Sequence, residues 1–189
     1  GSDTVQTALT AYVLQANIEN LVATGTASFL GIGNANGNSI IGLDGIVDDL
    51  YGRDGNDTLS GGVGANNTLI GGLGDDIYVV LSVGDSTIEL AGEGNDTVRT
   101  DFSIYGLQSN IEVLIFTGDG THAAGVGNAS NNTIYGGIGR DDLFGREGND
   151  ILSGGGGAAN TLVGQEGDDV YEIRASGDSV VELAGQGTD

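Results

Sequence analysis

Apolar residues recur along this chain with a period of nine positions, each on a short extended piece that follows a glycine-rich turn. Residues 52–60, Gly-Arg-Asp-Gly-Asn-Asp-Thr-Leu-Ser, show the pattern. Alternation along a strand turns the middle residue of the last three inward. The pattern predicts short β-strands between turns, and the inward residues expected from it are Ile40, Leu50, Leu59, Leu69, Tyr78, Val98, Ile134, Leu143, Leu152, Leu162 and Tyr171.

A strand of three residues cannot bury its apolar face alone, so the units must stack. Two units make one coil of about 18 residues, and coils stacked with parallel strands about 4.8 Å apart share a thin core. The glycines permit the left-handed backbone that the tight turns need. We therefore predict an all-β fold, a parallel β-helix solenoid built from glycine-rich nonapeptide repeats.

A longer period of about 93 residues divides the chain into two similar halves. Residues 47–96 align without a gap with residues 140–189, and most aligned positions are identical. This duplication predicts two repeat modules, with one continuous solenoid left open as the alternative. The expected modules are residues 1–93, with a nonapeptide block at about 31–79, and residues 94–189, with a block at about 125–172.

Composition excludes several classes of function. The 27 acidic residues outnumber five basic ones, and the net charge of −22 leaves no basic surface for nucleic acid or an anionic membrane. Cysteine is absent, so neither disulfides nor thiolate metal sites can form. Because no apolar stretch reaches membrane-spanning length, we expect no membrane insertion.

The turns carry the candidate chemistry. Stacking places the aspartates and backbone carbonyls of one turn over those of the turn two units later, and unneutralised carboxylates in such a row repel one another. A hard divalent cation with six to eight oxygen ligands removes that repulsion, and these donors suit Ca²⁺ better than Zn²⁺ or copper. The turns therefore predict several bound calcium ions.

The units match the pattern Gly-Gly-x-Gly-x-Asp-x-apolar-x, as in residues 71–79, Gly-Gly-Leu-Gly-Asp-Asp-Ile-Tyr-Val. They resemble the nonapeptide of the RTX (repeats-in-toxin), haemolysin-type calcium-binding repeat proteins. The resemblance implies a parallel β-roll with Ca²⁺ between turns n and n+2. One turn supplies the aspartate at position six and the carbonyls at positions two and four. The other supplies its own aspartate and the carbonyls at positions one and three.

Carried over to this sequence, the resemblance implies a site at Asp57 with the carbonyls of Arg53 and Gly55, closed by Asp76. Its duplicate uses Asp150 and is closed by Asp169. A further site uses Asp141, and Asp48 is its poorer counterpart in the first half. The metal residues expected in all are Arg53, Gly55, Asp57, Gly71, Leu73, Gly72, Gly74, Asp76, Asp96, Asp48, Gly137, Gly139, Asp141, Arg146, Gly148, Asp150, Gly164, Glu166, Gly167 and Asp169.

Two features modify these expected sites. Asp76 is also expected to pair with Asp96, and Asp169 with Asp189, which extends each row of aspartates. Asparagine replaces aspartate at the ligand position of four turns, and a neutral ligand lowers the charge of the site and weakens its hold on the ion. The substituted positions are Asn38, Asn67, Asn132 and Asn160.

Three other side chains are candidate functional groups. Glu89 and Glu182 lie in duplicated Gly-Asp-Ser-x-x-Glu segments, where they either donate to calcium at a coil corner or are solvated. His122 is the only histidine, and the first half carries Phe29 at the aligned position, so we interpret it as incidental. With no recognisable nucleophile and no lysine, we expect the chain not to be an enzyme.

The resemblance implies a calcium-binding module of a larger secreted or cell-surface bacterial protein. Such a module is exported by a type I system, folds when it meets extracellular Ca²⁺, and acts as a structural spacer. The alternative is a solenoid that binds polysaccharide, ice or a protein surface in an adhesin or an extracellular enzyme. Uncapped solenoid ends also favour end-to-end self-association.

Overall fold

A computed structural model of the chain describes residues 1–118, 120, 122–157, 159–183 and 185–187. These residues form strands, turns and bends, with no helix among them. The chain divides into two compact units, Gly1–Thr97 and Val98–Asp189. The division lies inside strand β11, Thr97–Thr100. No helix in the part of the chain described could span a membrane.

The first unit alternates its strands between two parallel sheets, as a coiling chain must. Leu21 pairs with Ile40, Ile40 with Leu59, and Leu59 with Tyr78, so successive coils add about two repeat units. One sheet contains the odd-numbered strands and the other the even-numbered strands. They are β1 (Thr4–Thr7), β2 (Ala11–Val13), β3 (Asn20–Ala23), β4 (Leu30–Ile32), β5 (Ser39–Ile41), β6 (Asp49–Asp54), β7 (Thr58–Ser60), β8 (Thr68–Leu73), β9 (Ile77–Val80) and β10 (Ser86–Ile88).

The second unit repeats this arrangement. Leu114 pairs with Ile134, Ile134 with Leu152, and Leu152 with Tyr171, again in parallel. The even-numbered strands follow one another in a second parallel sheet. The strands are β12 (Ile104–Gly106), β13 (Val113–Phe116), β14 (Ala123–Val126), β15 (Thr133–Tyr135), β16 (Asp141–Glu147), β17 (Ile151–Ser153), β18 (Thr161–Glu166), β19 (Val170–Glu172) and β20 (Ser179–Val181).

The inward row of each sheet forms the core. Ten of the eleven residues predicted to face inward are completely buried. Tyr171 is only half-buried, because β19 is the last strand of its sheet and no further strand covers it. Burying a leucine or isoleucine stabilises the fold by about 1.5–3 kcal/mol, so the thin core depends on the inward residue of every strand. The predicted all-β parallel solenoid is confirmed.

Candidate metal centre

The backbone of the turns that carry Asp57, Asp76, Asp150 and Asp169 has two left-handed residues, at the second and fourth positions. In the turn at residues 71–76 these are Gly72, with φ of 100°, and Gly74, with φ of 130°. Arg53 holds the second position of the preceding stacked turn with φ of 89°, a conformation that costs a residue with a side chain about 1–3 kcal/mol. The same conformation recurs in the second unit at Arg146 (89°), Gly148 (105°), Gln165 (78°) and Gly167 (136°).

The aspartates at position six form a ladder along one edge of the first unit. Oδ1 of Asp57 accepts the backbone N–H of Asn38 at 2.6 Å, and Oδ1 of Asp76 accepts that of Asp57 at 2.6 Å. Oδ1 of Asp96 accepts the backbone N–H of Asp76 at 2.8 Å. All three aspartates are at most 1% exposed. The structure therefore brings together Asp57, Asp76 and Asp96.

The second oxygen of these carboxylates has a different environment. Oδ2 of Asp57 and Oδ2 of Asp76 are buried without a hydrogen-bond partner. A Cβ atom on Gly52 would collide with Oδ2 of Asp57 and lie 2.7 Å from the carbonyl oxygen of Gly71, so glycine keeps open a space that these oxygens face. Buried anionic oxygen without a donor is costly, and a hard cation is the partner that such a site fits.

The second unit repeats the ladder. Oδ1 of Asp150 accepts the backbone N–H of Asn132 at 2.7 Å, and Oδ1 of Asp169 accepts that of Asp150 at 2.8 Å. Oδ2 of Asp150 is buried without a hydrogen-bond partner, next to the space left by Gly145. The expected continuation from Asp169 to Asp189 lies outside the described residues.

The residues expected to donate backbone carbonyls lie in stacked turns. Arg53 pairs with Gly72, and the N–H of Gly55 donates to the carbonyl of Leu73 at 2.6 Å. A Cβ on Gly74 would collide with the carbonyl oxygen of Gly55. In the second unit the corresponding contacts join Arg146 with Gln165, Glu166 with Glu147, Gly167 with Gly148, Gly164 with Gly145, Gly137 with Gly156, and Gly139 with Gly157.

Asp141 and Asp48 differ from the other aspartates of the predicted set. Oδ1 of Asp141 accepts the N–H of Ala123 at 2.8 Å, and Oδ2 accepts the N–H of Gly137 at 2.9 Å. Asp48 likewise accepts two backbone N–H groups, at 2.8 and 2.5 Å. Each carboxylate oxygen therefore already has a donor, and the need for a cation is smaller here than at Asp57 or Asp150.

The asparagine-bearing turns are joined by their own side chains. Oδ1 of Asn38 accepts the N–H of Asn34 at 2.7 Å, and its Nδ2 donates to the carbonyl of Ile18 at 3.0 Å. Nδ2 of Asn67 donates to Oδ1 of Asp85 at 2.9 Å. In both turns the asparagine side-chain amide donates a hydrogen bond at the place where a carboxylate would need a cation. Asn132 makes the equivalent contact with Ile111, and Asn160 with Asp178.

Burial also changes the acidity of the ladder carboxylates. Loss of solvent raises the pKa of Asp57 to about 7 and that of Asp76 to about 7, and the neighbouring carboxylate in the ladder adds to each increase. The pKa of Asp150 rises to about 7 for the same reasons. The ladder therefore favours a bound proton or a bound cation over a bare negative charge.

The sequence alone leaves the role of Glu89 in this region open. Glu89 is buried, and its carboxylate lies with those of Asp76 and Asp96 in a cluster whose ligand atoms are within 4.8 Å of one another. The Tyr78 hydroxyl donates to Oε1 of Glu89. The duplicated Gly-Asp-Ser-x-x-Glu segment was the only signal in the sequence that pointed to this position.

His122 lies apart from the aspartate ladder. Its Nδ1 is 2.5 Å from the carbonyl oxygen of Arg140, and its Nε2 is 3.5 Å from Oδ2 of Asp142. About half of the His122 side chain is exposed. These contacts join the imidazole to the residues on either side of Asp141.

Comparison with known families agrees with this geometry. The family model of the RTX calcium-binding nonapeptide repeat matches the chain in four copies, at residues 32–67, 51–80, 126–159 and 154–170. These copies contain the ladder aspartates of both units except Asp96. A search of curated proteins found no match.

Proposed function

Because this chain is an RTX-type parallel β-roll with calcium-binding nonapeptide repeats, we propose that it is a structural module that folds when it binds Ca²⁺. The observation that carries the proposal is the set of buried carboxylate oxygens without a donor, Oδ2 of Asp57, Asp76 and Asp150. Each belongs to a turn of the repeat that is stacked on another such turn.

The residues have distinct roles in this proposal. Bound Ca²⁺ supplies positive charge and accepts oxygen ligands from two stacked turns. Asp57 and Asp76 each provide Oδ2 toward the cation and use Oδ1 to fix the spacing of the turns. Gly52 leaves a space beside Oδ2 of Asp57, and Gly71 leaves a separate space beside Oδ2 of Asp76, and each space holds one cation in this proposal. Since the bare row is destabilised by burial, the free energy of ion binding becomes free energy of folding.

The same coupling supports secretion as the setting. A chain with net charge −22 stays expanded where calcium is scarce, and extracellular calcium neutralises its carboxylates. We propose that the module belongs to a larger bacterial protein that is exported by a type I system, folds outside the cell, and acts as a spacer at the cell surface. It has no catalytic function of its own in this proposal.

Calcium binding with calorimetric detection tests the folding role. We expect several Ca²⁺ ions per chain, a strongly negative heat-capacity change because apolar surface is buried on binding, and no comparable signal with Mg²⁺. Saturable binding without a heat-capacity change would mean that the fold exists before the ion arrives. Absence of saturable binding would overturn calcium binding itself.

A second candidate function, binding of a polysaccharide, is supported by the outer face of the even-numbered sheet in the first unit. Ile32, Tyr51 and Ile70 form one outward row, and Leu30 and Arg53 join it around a groove of about 310 Å³. An aromatic ring beside apolar and cationic groups suits a sugar surface. Retention on immobilised polysaccharides tests this role. Tyr51→Ala must reduce retention at unchanged fold, and equal retention of both proteins contradicts it.

A further inference from the structure

The row of first-position glycines in the first unit ends in a glutamate. Tyr51 pairs with Ile70 and Ile70 with Ile88, so the following residues, Gly52, Gly71 and Glu89, occupy equivalent places in successive turns. At this place the regular turns leave space for oxygen atoms. In the last of the three turns, the buried carboxylate of Glu89 stands where the other two turns have a glycine without a side chain.

The surroundings of Gly71 show where that carboxylate reaches. A Cβ on Gly71 would collide with Oδ2 of Asp76 and the Tyr78 hydroxyl, and would lie 2.5 Å from Oε1 of Glu89. Three oxygen atoms therefore converge on one small volume. Oδ2 of Asp76, from a residue with no exposed surface, has no hydrogen-bond partner in it.

The contacts of Tyr78 hold the glutamate in place. Its hydroxyl accepts the N–H of Gly71 at 2.7 Å and donates to Oε1 of Glu89. Tyr78 itself is completely buried in the core row, where the regular turns carry leucine or isoleucine. The hydroxyl thus fixes the carboxylate next to Asp76 without adding charge.

We propose that Glu89 joins Asp76 and Asp96 as a third carboxylate ligand of the Ca²⁺ at the end of the ladder in the first unit, and that Tyr78 positions Glu89 for this role. The proposal rests on the proposed function in taking calcium as the ion. Three carboxylates exceed the two that a pair of nonapeptide turns provides. Because affinity for Ca²⁺ rises with the charge of the ligands, this ion is the most tightly bound in its unit.

The second unit contains the same arrangement of tyrosine, glutamate and aspartate. The Tyr171 hydroxyl accepts the N–H of Gly164 at 2.9 Å and donates to Oε1 of Glu182, and a Cβ on Gly164 would collide with Oδ2 of Asp169. The duplication has therefore kept the tyrosine, the glutamate and the aspartate together in both units. The position equivalent to Asp96 is Asp189, outside the described residues.

Calcium counting on the intact chain tests the proposal. We expect Glu89→Gln to bind one ion fewer than wild type by equilibrium dialysis. The matched control is Glu93→Gln, which makes the same change on the same turn at a side chain that accepts the N–H of Leu90 at 2.8 Å outside the cluster. Its ion count stays at the wild-type value. Equal counts for the two variants overturn the proposal.

Two further measurements complete the test. Tyr78→Phe removes the hydroxyl that positions Glu89 and leaves the charge of the site unchanged. It therefore tests the proposal even if Glu89→Gln fails to fold. In competition with a chelator, its tightest ion must be released at a severalfold lower chelator concentration than in wild type, and unchanged release overturns the proposal. Wild-type calcium binding is measured in parallel. Failure of the wild type to bind any ion would instead contradict the proposed function.

Discussion

Each ladder aspartate divides its two carboxylate oxygens between two tasks. Oδ1 of Asp57 fixes the next turn through the N–H of Asn38, whereas Oδ2 is buried without a donor. Substitution by asparagine separates these tasks, because the amide keeps the acceptor and loses the charge. The chain itself makes that substitution at Asn38, where the amide donates to a carbonyl instead.

Asp57→Asn tests the division between the two oxygens. We expect the calcium-free fold to gain about 1–3 kcal/mol, the cost of a buried polar group without a partner, and calcium affinity to fall. Folding of the calcium-free chain, induced in EDTA by an osmolyte such as trimethylamine N-oxide, and calcium titration measure the two effects. Asp54→Asn, an exposed position in the same turn, is the control and should change both quantities far less. A loss of stability in EDTA would contradict this interpretation.

The glycine at the first position of each turn leads to a second prediction at the scale of single residues, a steric one. A Cβ on Gly145 would collide with Oδ2 of Asp150 and lie 2.8 Å from the carbonyl oxygen of Gly164, so Gly145→Ala should destabilise the calcium-bound fold by about 1–3 kcal/mol. Gly106→Ala is the matched control, since its nearest neighbour would be 3.8 Å away. Thermal unfolding in saturating Ca²⁺ distinguishes them, and equal midpoints would show that the space at Gly145 is not used.

At the scale of the strand, one inward side chain per rung holds the two sheets together. Leu59 on β7 lies between Ile40 and Tyr78 in the core row and has no exposed surface. The strands are only three to six residues long around it. Each rung therefore depends on its single core residue more than a long strand would.

Leu59→Ala measures this dependence. Removing a buried leucine costs about 2–5 kcal/mol through lost burial and the cavity that remains. The matched control is Val83→Ala, at a side chain that is 91% exposed. Denaturant unfolding of both variants in saturating Ca²⁺ gives the comparison. A loss at Leu59 no greater than at Val83 would mean that the core row does not carry the stability of the unit.

The sequence predicted the strands and turns because both follow from positions nine residues apart, as at Ile134, Leu143 and Leu152. It could not predict the contact of Glu89 with Tyr78, which depends on how a longer final turn stacks on a regular one. Nor could it distinguish Asp141 from Asp57. Their side chains are the same, and the difference lies in which backbone N–H groups the folded turn directs at each oxygen.

At the scale of the whole molecule, excess negative charge opposes folding. Net charge is −22, and burial raises the pKa of Asp57, Asp76 and Asp150 from 3.8 to about 7. A raised folded pKa means that the folded state holds the proton more tightly than the unfolded chain. The resulting stabilisation is complete below about pH 4 and is lost as the pH rises through 7.

Protons should therefore partly replace calcium. In EDTA we expect the concentration of an osmolyte needed to induce folding to fall as the pH is lowered from 8 to about 5, and the calcium concentration needed for folding to stay constant or fall over the same range. Circular dichroism at several pH values measures both trends. The variant Asp57→Asn/Asp150→Asn should show a weaker dependence. An osmolyte requirement in EDTA that rises on acidification in this range contradicts the assignment.

The central claim is that calcium drives this chain from an expanded to a folded state. Far-UV circular dichroism and hydrodynamic radius, measured together in EDTA and through a Ca²⁺ titration at pH 7.5 with Mg²⁺ as control, test it most directly. We predict an expanded chain without β-structure in EDTA, and a compact β-rich chain only after Ca²⁺ is added. A chain that is already compact and β-rich in EDTA would contradict calcium-driven folding.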